Sequence, residues 1–392
     1  MVIKKVLSIV LNNFVNDSRV LKECISTKKA GYDIQVLALH ESDLKEKEII
    51  QEIPVHRIRL KTRRWSKHLL VQGVKYLEFA IRIMKDYRNV DIIHCNDLEP
   101  LPIAVLFKLV SKGRIKIIYD AHEFETELGL TGWKYLAVCA LERRLIRYAD
   151  AVITVCDSIA DEYAKRYNVQ KPYLVMNCPI PQKIGRNNEF RECFPIREDQ
   201  KVLLYQGGLY EERGLELLLE VFSKIQRDDI VLVVMGNGPL EEKVRSAASS
   251  CGSIFYHAAV SPLDLLNYTS SADIGIVITE NTCLNHYYSL PNKFFEYTMA
   301  GLPVLTGNLP EIRRFVQLYK CGMTVEEGTA DSIQQAIECM LELDLQDLSR
   351  NSQNLAKTYN WGTQEKVLLE VYRKVGGNAF ESPLQKKESY LN

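Results

Sequence analysis

Short apolar runs alternate with amphipathic helical segments along almost the whole chain, and this alternation limits the possible folds more than any other feature. The apolar runs occupy residues 4–10, 34–39, 91–94, 115–119, 151–155 and 173–176, then 201–206, 230–235, 253–257, 273–278 and 302–305. Regular strand–helix alternation predicts the α/β class with doubly wound parallel sheets. Because ligands of such sheets bind beyond the carboxyl ends of the strands, polar residues that directly follow a strand are the candidates for a site.

The chain has 392 residues, which is long for a single hydrophobic core. Residues 177–196 contain three prolines and many polar groups without a hydrophobic period, as expected of a segment between domains. We therefore predict an N-terminal domain at residues 1–180, a linker at 181–198, a C-terminal domain at 199–375 and a polar tail at 376–392.

The composition argues against several classes of protein. Lysine plus arginine and aspartate plus glutamate each number 50, so the net charge gives no indication of a nucleic-acid partner. The ten cysteines include no C-x-x-C pair, which favours a reducing compartment with buried thiols. The start, MVIKKVLSIV, lacks a small-residue cleavage site and is typical of a strand, and no run of about 18 apolar residues predicts a membrane span. We expect a cytoplasmic protein.

Residues 287–311 predict a loop, a helix, a turn, a strand and the start of a further helix. Ser289 offers a capping oxygen, and Asn292, Lys293 and Glu296 share roughly one face of the helix. The free N–H groups of a helix start bind phosphate, a lysine adds positive charge, and a carboxylate accepts hydrogen bonds from a vicinal diol. The pattern therefore suits an anionic, hydroxyl-rich ligand, although an exposed Lys–Glu pair on an amphipathic helix would give the same pattern.

Two glycine-containing turns follow strands in the second half of the chain. Gly207 and Gly208 end one strand shortly before Arg213, and Gly236 and Gly238 follow the next. Glycines let backbone amides approach a phosphate, and an arginine can bind it with two hydrogen bonds. Turn geometry alone would also require such glycines. The second turn lacks the third glycine and the acidic residue of a dinucleotide fingerprint, which argues against a dehydrogenase.

Taken in order, the segments YQGGLYEERGLELLLEVF, MGNGP, SADIGI and LPNKFFEYTMAGLPVL resemble the C-terminal half of the family-4 glycosyltransferases. LVMNCP and YDAHEFETE resemble the N-terminal half, so the resemblance covers about residues 3–375. It implies the GT-B fold, which consists of two facing Rossmann-like domains with parallel sheets and a cleft between them. It also implies a UDP- or GDP-type sugar donor held mainly by the second domain, a glycan or lipid-linked acceptor, and a role in cell-surface polysaccharide biosynthesis. Transfer with retention at the anomeric carbon and without a metal ion or other cofactor is implied as well.

Carried onto this sequence, the resemblance implies roles for individual residues. Glu296 matches the second glutamate of the family's pair and would bind the donor ribose. Arg213 matches the basic residue that contacts the donor diphosphate, and His122 matches the histidine near the transferred sugar. We therefore name as candidate catalytic residues His122, Arg213, Lys293 and Glu296, and as candidate donor-binding residues Gly207, Gly208, Arg213, Gly236, Gly238, Tyr288, Asn292, Lys293 and Glu296.

The sequence departs from the family pattern at two of these positions. Tyr288 stands where the first glutamate of the pair is expected, and Gly208 stands where a second phosphate-binding cation is usual. Lys293 projects from the helix start and is our candidate to replace that cation. A sugar-nucleotide epimerase of GT-B fold remains an alternative. A second alternative is a nucleotide-sugar-binding protein that lost turnover when Tyr288 replaced glutamate.

Candidate residues of the first half follow strands or open helices. Asp17, Arg19 and Asp97 are candidates for the acceptor side, although Asp17 and Asp97 could equally cap helices. His122 directly follows a strand, and its alternative interpretation is a histidine satisfied within a loop.

Residues 53–90 are rich in cations. This segment contains ten lysines and arginines but only two acidic residues, Glu78 and Asp86, with aromatic and leucine residues interleaved. This pattern indicates an interfacial helix that docks peripherally on the inner face of an anionic membrane, or else a solvated helix face packed on the core. The residues expected at the membrane are Arg63, Arg64, Trp65 and Lys67.

Overall fold

The computed structural model describes residues 3–15, 17–66 and 68–376. These residues form two compact units. The first contains the chain up to Thr126, Leu130–Met176 and the chain from Glu365 onward, and the second contains Glu127–Gly129 and Asn177–Gln364.

In the described part of the first unit, the strands form an eight-stranded sheet with the order β3-β4-β2-β1-β5-β6-β7-β8. The strands are β1 Lys5–Ile9, β2 Asp33–Leu39, β3 Lys47–Ile50, β4 Ile53–Ile58, β5 Ile92–Asn96, β6 Lys116–Ala121, β7 Ala151–Thr154 and β8 Tyr173–Leu174. The helices that connect them are α1 Ser18–Lys29, α2 Leu69–Asp86, α3 Leu101–Val110, α4 Gly132–Leu145 and α5 Asp157–Tyr167. Strands β1, β5 and β6 lie side by side at the centre and carry the buried apolar runs seen in the sequence.

The edge strand β3 was missed by the sequence analysis, which predicted only parallel strands. It pairs with β4 in an antiparallel hairpin whose turn residues, Gln51 and Glu52, both have positive φ angles of 43° and 71°. Such a turn normally contains glycine or asparagine. Since neither is present here, the turn carries no sequence signal.

In the described part of the second unit, a six-stranded parallel sheet has the order β11-β10-β9-β12-β13-β14. Its strands are β9 Lys201–Gly208, β10 Ile230–Asn237, β11 Ile254–His257, β12 Ile274–Val277, β13 Val304–Gly307 and β14 Gly322–Val325. Its helices are α6 Glu189–Cys193, α7 Leu215–Lys224, α8 Glu241–Ser250, α9 Leu265–Thr269, α10 Leu284–Tyr287, α11 Asn292–Met299, α12 Pro310–Tyr319, α13 Ala330–Leu341 and α14 Leu345–Thr358. The core lies between the sheet and helices such as α7 and α13. The sequence analysis missed β14, a four-residue edge strand that is largely half-buried.

The predicted linker, residues 181–198, packs against the second unit. Its short helix α6 buries Phe190 completely, and the Phe190 ring lies 6.3 Å from the His257 ring and 5.8 Å from the Tyr268 ring. These aromatic contacts make the segment a part of the second unit rather than a separate connector.

The last helix, α15 Trp361–Gly376, corrects the predicted end of the C-terminal domain. Its residues from Glu365 onward belong to the first unit, because Tyr372 is buried there beside Tyr32, with their ring centres 5.3 Å apart. Apart from Gly376, the predicted tail at 376–392 lies outside the described residues.

Candidate active site

The carboxyl ends of β9 and β10 meet so closely that side chains are excluded. Gly236 is paired with Gly207, and a Cβ atom added at Gly236 would lie 1.9 Å from the Gly207 carbonyl oxygen. Gly238 has a φ angle of 154°, and a Cβ atom there would lie 2.6 Å from the Leu209 carbonyl oxygen. The glycines are therefore required by the backbone geometry, which leaves a surface of main-chain atoms at this end of the sheet.

Helix α11 begins beside this surface. Its N-cap residue is Pro291, with no side-chain cap, and the Ser289 Oγ atom is buried without a hydrogen-bond partner among the described residues. The predicted Ser289 cap is therefore wrong. The first N–H groups of a helix lack intrahelical partners, and without a capping side chain they remain available to an anion.

Glu296, on α11, is held by a chain of hydrogen bonds. The Gln206 side-chain amide donates to Glu296 Oε2 over 2.6 Å, and Gln206 Oε1 accepts from Thr269 Oγ1 over 2.8 Å. The Tyr297 hydroxyl accepts from the Gln206 backbone N–H and donates to the Leu204 carbonyl oxygen, which fixes the helix to β9. The carboxylate is thus oriented before any ligand binds.

Lys293 lies over the glycine surface. Its Nζ atom is 3.8 Å from the centre of the Tyr205 ring, and its Cε atom is 3.6 Å from the position of a Cβ atom at Gly207. Burial lowers the pKa of Lys293 to about 7, with the charge of Arg213 adding to this effect and that of Glu296 opposing it. Within the described chain, the Lys293 amino group has no ion-pair partner, so the simple Lys–Glu surface pair is not observed.

Arg213 lies in a loop that is tied to the segment before α10. Glu212, with a φ angle of 64°, accepts a hydrogen bond from the Thr282 hydroxyl over 3.0 Å, and its carbonyl oxygen accepts from the Glu280 N–H over 2.9 Å. Burial lowers the pKa of His286, and the nearby charge of Arg213 lowers it further. The Arg213 guanidinium forms no ion pair or hydrogen bond with another described residue. Two cations without carboxylate partners therefore lie close together at the end of β9.

The remaining donor-site candidates of the second unit flank α11. Tyr288 caps the carboxyl end of α10 and is half-buried, with its ring centre 5.1 Å from that of Tyr287. Asn292 is the exposed first residue of α11, and Gly208 ends β9, where an added Cβ atom would contact the Tyr210 ring. Tyr288 therefore puts an aromatic ring, not a charge, at the position where glutamate was expected.

A buried charge network occupies the carboxyl end of the first unit's sheet. Arg19 donates to both carboxylate oxygens of Asp120 over 2.9 Å and to the Val175 carbonyl oxygen over 2.7 Å, and its Nε atom lies 3.0 Å from Glu23 Oε1. Arg19 and Asp120 are both buried. Arg19 is therefore a buried cation whose guanidinium already binds Asp120 and Val175, and its contact with an acceptor stays a prediction.

His122 is fixed between two carboxylates. Its Nε2 atom lies 3.3 Å from Asp120 Oδ2 and its Nδ1 atom lies 3.5 Å from Asp97 Oδ1. Burial lowers the pKa of His122, but the charges of Asp120 and Asp97 outweigh burial and raise it to about 9. The two carboxylates therefore favour the imidazolium form of His122.

The two candidate aspartates of the first unit differ in role. Asp17 is the N-cap of α1, since its carboxylate accepts from the Val20 N–H over 3.2 Å, so the capping interpretation applies to it. Asp97 caps no helix, because the N-cap of α3 is Pro100. Its carboxylate accepts instead from the His122 N–H over 3.2 Å, and its φ angle of 68° places it in the left-handed region.

Glu23, His94 and Asp120 form the one group of potential metal ligands found among the described residues, with ligand atoms within 4.8 Å of one another. The His94 Nε2 atom faces both carboxylates, while its Nδ1 atom shares a 2.7 Å hydrogen bond with the Tyr372 hydroxyl. The guanidinium of Arg19 already donates to Asp120 and lies 3.0 Å from Glu23, so a cation of the protein itself occupies this position. The group therefore fits an internal ion-pair network better than a cation site.

Two family models match the chain over consecutive regions. The model described as Glycosyltransferase Family 4 matches residues 21–181, and the model described as Glycosyl transferases group 1 matches residues 186–358. This chain belongs to the GT-B glycosyltransferases of these two types.

Curated relatives include other glycosyltransferases. An uncharacterized glycosyltransferase of Methanocaldococcus jannaschii is 23% identical over 366 residues, which cover 88% of this chain and 90% of the relative. A GDP-mannose-dependent alpha-(1-6)-phosphatidylinositol monomannoside mannosyltransferase of Mycobacterium tuberculosis is 27% identical over 282 residues, which cover 66% of this chain and 71% of the relative.

Solved structures share the fold of this glycosyltransferase. The sucrose-phosphate synthase of Thermosynechococcus elongatus aligns with a TM-score of 0.76 at 15% identity, over 95% of this chain and 98% of that one. The Anabaena protein HepE, solved in complex with UDP-glucose, aligns with a TM-score of 0.72 at 13% identity, over 94% of this chain and 99% of that one. These neighbours show that the two parallel-sheet units have the GT-B fold.

Sequence reasoning missed several residues that build the sites of this glycosyltransferase. Gln206 orients Glu296, Tyr205 contacts Lys293, and Asp120 joins Arg19 to His122. Both Gln206 and Asp120 lie at the carboxyl ends of strands. The rule that ligands bind at those ends could have identified them.

The basic segment of this glycosyltransferase comprises β4, a loop and α2. Arg63 pairs with Glu41 over 2.9 Å, while Arg64 and Trp65 are exposed, and Lys67 lies outside the described residues. Arg57 is buried and bonds to Glu48, so it cannot face a membrane. Among the described helices, none combines the length and the hydropathy needed to span a bilayer.

Proposed function

We propose that this glycosyltransferase moves a hexose or a related sugar from a UDP- or GDP-sugar to a glycan or lipid-linked acceptor, with retention at the anomeric carbon and without a metal ion. The cation pair formed by Lys293 and Arg213 carries the proposal. Neither cation has an ion-pair partner in the described chain, and both lie near the uncapped start of α11. Such an arrangement suits a diphosphate, which would supply the missing negative charges.

The same cations would act in the chemical step. Cleavage of the bond between the anomeric carbon and the phosphate oxygen places a growing negative charge on the leaving diphosphate. Lys293, Arg213 and the helix start lie in fixed positions, so they would stabilise this charge without reorganisation. We propose that they do the work that a divalent metal does in other enzymes.

Glu296 would bind the donor ribose. The amide of Gln206 holds its carboxylate through Oε2, and a carboxylate can accept further hydrogen bonds from both hydroxyls of a vicinal diol. The family resemblance supports this role.

Retention follows from the proposed front-face route. The acceptor oxygen attacks the anomeric carbon on the face from which the diphosphate departs, and the acceptor proton passes to the leaving phosphate oxygen. The new bond therefore keeps the configuration of the old one. His122, which the resemblance assigns to the transferred sugar, would remain a cation throughout because two carboxylates stabilise its charge.

The printed names of the relatives support the donor and acceptor classes. One relative is GDP-mannose-dependent and modifies a phosphatidylinositol mannoside, and another is a putative teichuronic acid biosynthesis glycosyltransferase of Bacillus subtilis. We propose that this chain likewise acts in cell-surface polysaccharide biosynthesis.

A panel of UDP- and GDP-sugars tests the proposal. Thermal shift identifies the donor, since a ligand at 100 times its dissociation constant adds about 2.7 kcal/mol of stability. Nucleotide release is then measured with and without extracts of glycans and lipid-linked sugars, in EDTA and in Mg²⁺, and NMR gives the anomeric configuration of the product. We expect acceptor-dependent release that survives EDTA and yields the retained anomer.

Other results would contradict the proposal. A change of the sugar without an acceptor would indicate an epimerase. Donor binding without any nucleotide release would indicate a binding protein. Activity that is lost in EDTA and restored by Mg²⁺ or Mn²⁺ would exclude the metal-independent route.

A further inference from the structure

Helix α2 presents apolar side chains to the solvent along one stripe. Leu70, Val74, Leu77 and Ile81 are 76%, 43%, 60% and 66% exposed, respectively. Their spacing of four, three and four residues places them in one row along the helix. Such a continuous row on a protein surface indicates an interaction site, whereas scattered exposed leucines do not.

The opposite side of α2 is already used by the fold. Phe79, Ala80 and Ile83 are buried and pack on the first unit's core. The exposed stripe is therefore additional to the face that anchors the helix. Folding of the first unit does not require it.

Exposed cations flank the stripe at both ends. Arg64 precedes α2, Lys85 continues the row four residues after Ile81, and Arg88 follows the helix. None of the three has an ion-pair partner in the described chain. Trp65, 56% exposed, lies beside Arg64 at the start of the helix.

Glu78, the acidic residue in the middle of α2, is already bonded within the protein. Glu78 accepts hydrogen bonds from the Lys61 N–H and the Thr62 hydroxyl, and it pairs with Arg82 over 2.7 Å. Its charge is thus neutralised on the protein. Asp86 is the exposed acid at the end of the helix, next to Lys85.

Neighbouring helices add to the same face. Helices α2, α3 and α4 connect β4 to β5, β5 to β6 and β6 to β7, and these steps all run in one direction along the sheet. Right-handed crossovers in one direction place their helices on one face of the sheet. Trp133 and Leu136 of α4 are 66% and 67% exposed, so α4 contributes a second apolar surface there.

We propose that α2 lies flat on an anionic lipid surface, with its apolar stripe at the boundary of headgroups and acyl chains and with Arg64, Lys85 and Arg88 at the headgroups. An amphipathic helix that is too short and too polar to span a bilayer binds in this way. Trp65 adds a ring of the kind that prefers the membrane–water interface. The inference rests on the proposed function only in that a lipid-linked acceptor would be met at such a surface.

A second copy of the chain fits the stripe less well. Both ends of the stripe are cationic, so two copies packed through α2 would bring cations against cations in either a parallel or an antiparallel arrangement. An anionic membrane complements both ends at once. Charge therefore distinguishes the two occupants.

Co-sedimentation with vesicles tests the proposal on the full chain. Vesicles of phosphatidylcholine with phosphatidylglycerol are compared with phosphatidylcholine alone, at low salt and at molar salt. We expect binding to the anionic vesicles that is weakened by salt, because charges are screened beyond about 10 Å at 0.1 M. The variant Leu70→Gln/Leu77→Gln/Ile81→Gln should bind about tenfold less, since it removes the apolar contact.

A matched control separates the stripe from exposed leucine in general. The variant Leu263→Gln/Leu318→Gln/Leu343→Gln changes three exposed leucines of the second unit and should bind vesicles as the wild type does.

The contribution of the cations that flank the stripe is tested with a second pair of variants. Arg64→Glu/Lys85→Glu/Arg88→Glu should lose binding, whereas Lys183→Glu/Lys201→Glu/Lys366→Glu, with the same change of net charge, should retain more of it.

Tryptophan fluorescence adds an independent readout. Brominated lipids should quench Trp65 and Trp133 but not Trp361, which is buried. Single-tryptophan variants, with phenylalanine at the other two positions, resolve the three signals. Circular dichroism confirms that each variant is folded.

Three results would overturn the proposal. The first is a wild type that does not bind anionic vesicles at low salt. The second is equal vesicle binding by the stripe variant and its control. Light scattering could instead show a dimer that the stripe variant abolishes, which would assign the stripe to a second copy. Donor binding by thermal shift is measured in parallel, so that failure of the proposed function and failure of membrane docking remain distinguishable.

Discussion

The amino group of Lys293 lies 3.8 Å from the centre of the Tyr205 ring. The ring face attracts a cation. Burial and the charge of Arg213 nevertheless lower the pKa of Lys293 to about 7, against the opposing charge of Glu296. The charged form of Lys293 is therefore less favoured than that of an exposed lysine. A bound diphosphate would favour the charged form and raise this pKa.

Donor binding should consequently depend on pH through Lys293. Affinity is full below a pH of about 7 and falls as the pH rises through the higher pKa of the complex, approaching tenfold per pH unit within that window. Calorimetry between pH 6 and pH 9, in buffers of different ionisation enthalpy, should show proton uptake on binding. In Lys293→Arg, which stays charged, the slope should vanish. An unchanged slope in this variant would assign the titration to another group.

Glu296→Gln should fold normally and bind the donor about one to two decades more weakly. A hydrogen bond to a charged group contributes roughly 1.5–3 kcal/mol, which sets this range. The measurement compares the nucleotide with its 2′,3′-dideoxy analogue, which lacks the diol. Wild type should discriminate between them and Glu296→Gln should not, while Glu326→Gln, an exposed control, should behave as wild type. Equal discrimination in the variant would remove Glu296 from the ribose.

Tyr288→Glu should alter the preference for the donor sugar more than the affinity for the bare nucleotide. The substitution restores the carboxylate that the family pattern has at this position, where a half-buried ring now lies. Competition among sugar nucleotides is measured beside binding of UDP and GDP. Tyr287→Glu, on the neighbouring ring, serves as the control. Equal effects on nucleotide and full donor would show that position 288 does not face the sugar.

Asp120→Asn should destabilise the first unit by about 3–5 kcal/mol, because it leaves the buried Arg19 without its main partner. Denaturant unfolding measures this change, and Arg19→Met combined with Asp120→Asn should recover part of it. Asp347→Asn breaks an exposed pair with Arg350 and should change the free energy of unfolding little. A double variant no more stable than Asp120→Asn alone would contradict the pairing.

His122 gives the same network a pH dependence of known sign. Its pKa is raised from 6.5 to about 9, so its contribution to stability is complete below pH 6.5 and is lost as the pH rises to about 9. The free energy of unfolding of the wild type should fall across that window. His122→Gln should flatten the fall in part, since Glu23, whose pKa burial raises to about 8, contributes a loss of the same sign at lower pH. No flattening at all would mean that His122 is neutral in the folded protein.

The sequence predicted the two sheets because each central strand carries a short, mostly apolar run between amphipathic helical segments, as buried parallel strands do. It could not predict β3, since the turn at Gln51 and Glu52 takes positive φ angles without glycine or asparagine. The burial of Arg19 was also hidden, because its partner Asp120 lies 101 residues away in the chain and only the fold brings them together. Family motifs identified Glu296 and Arg213 as candidates, whereas the contact of Lys293 with the Tyr205 ring arises only in the folded structure.

The close pairing of Gly207 with Gly236 limits which positions can be mutated to alter donor choice. A Cβ atom at position 236 would lie 1.9 Å from the Gly207 carbonyl oxygen. Even alanine there would therefore push the ends of β9 and β10 apart. A combinatorial library should therefore keep Gly207, Gly236 and Gly238 fixed. Randomised codons belong at Tyr288 and Asn292, which are at least partly exposed and border the start of α11.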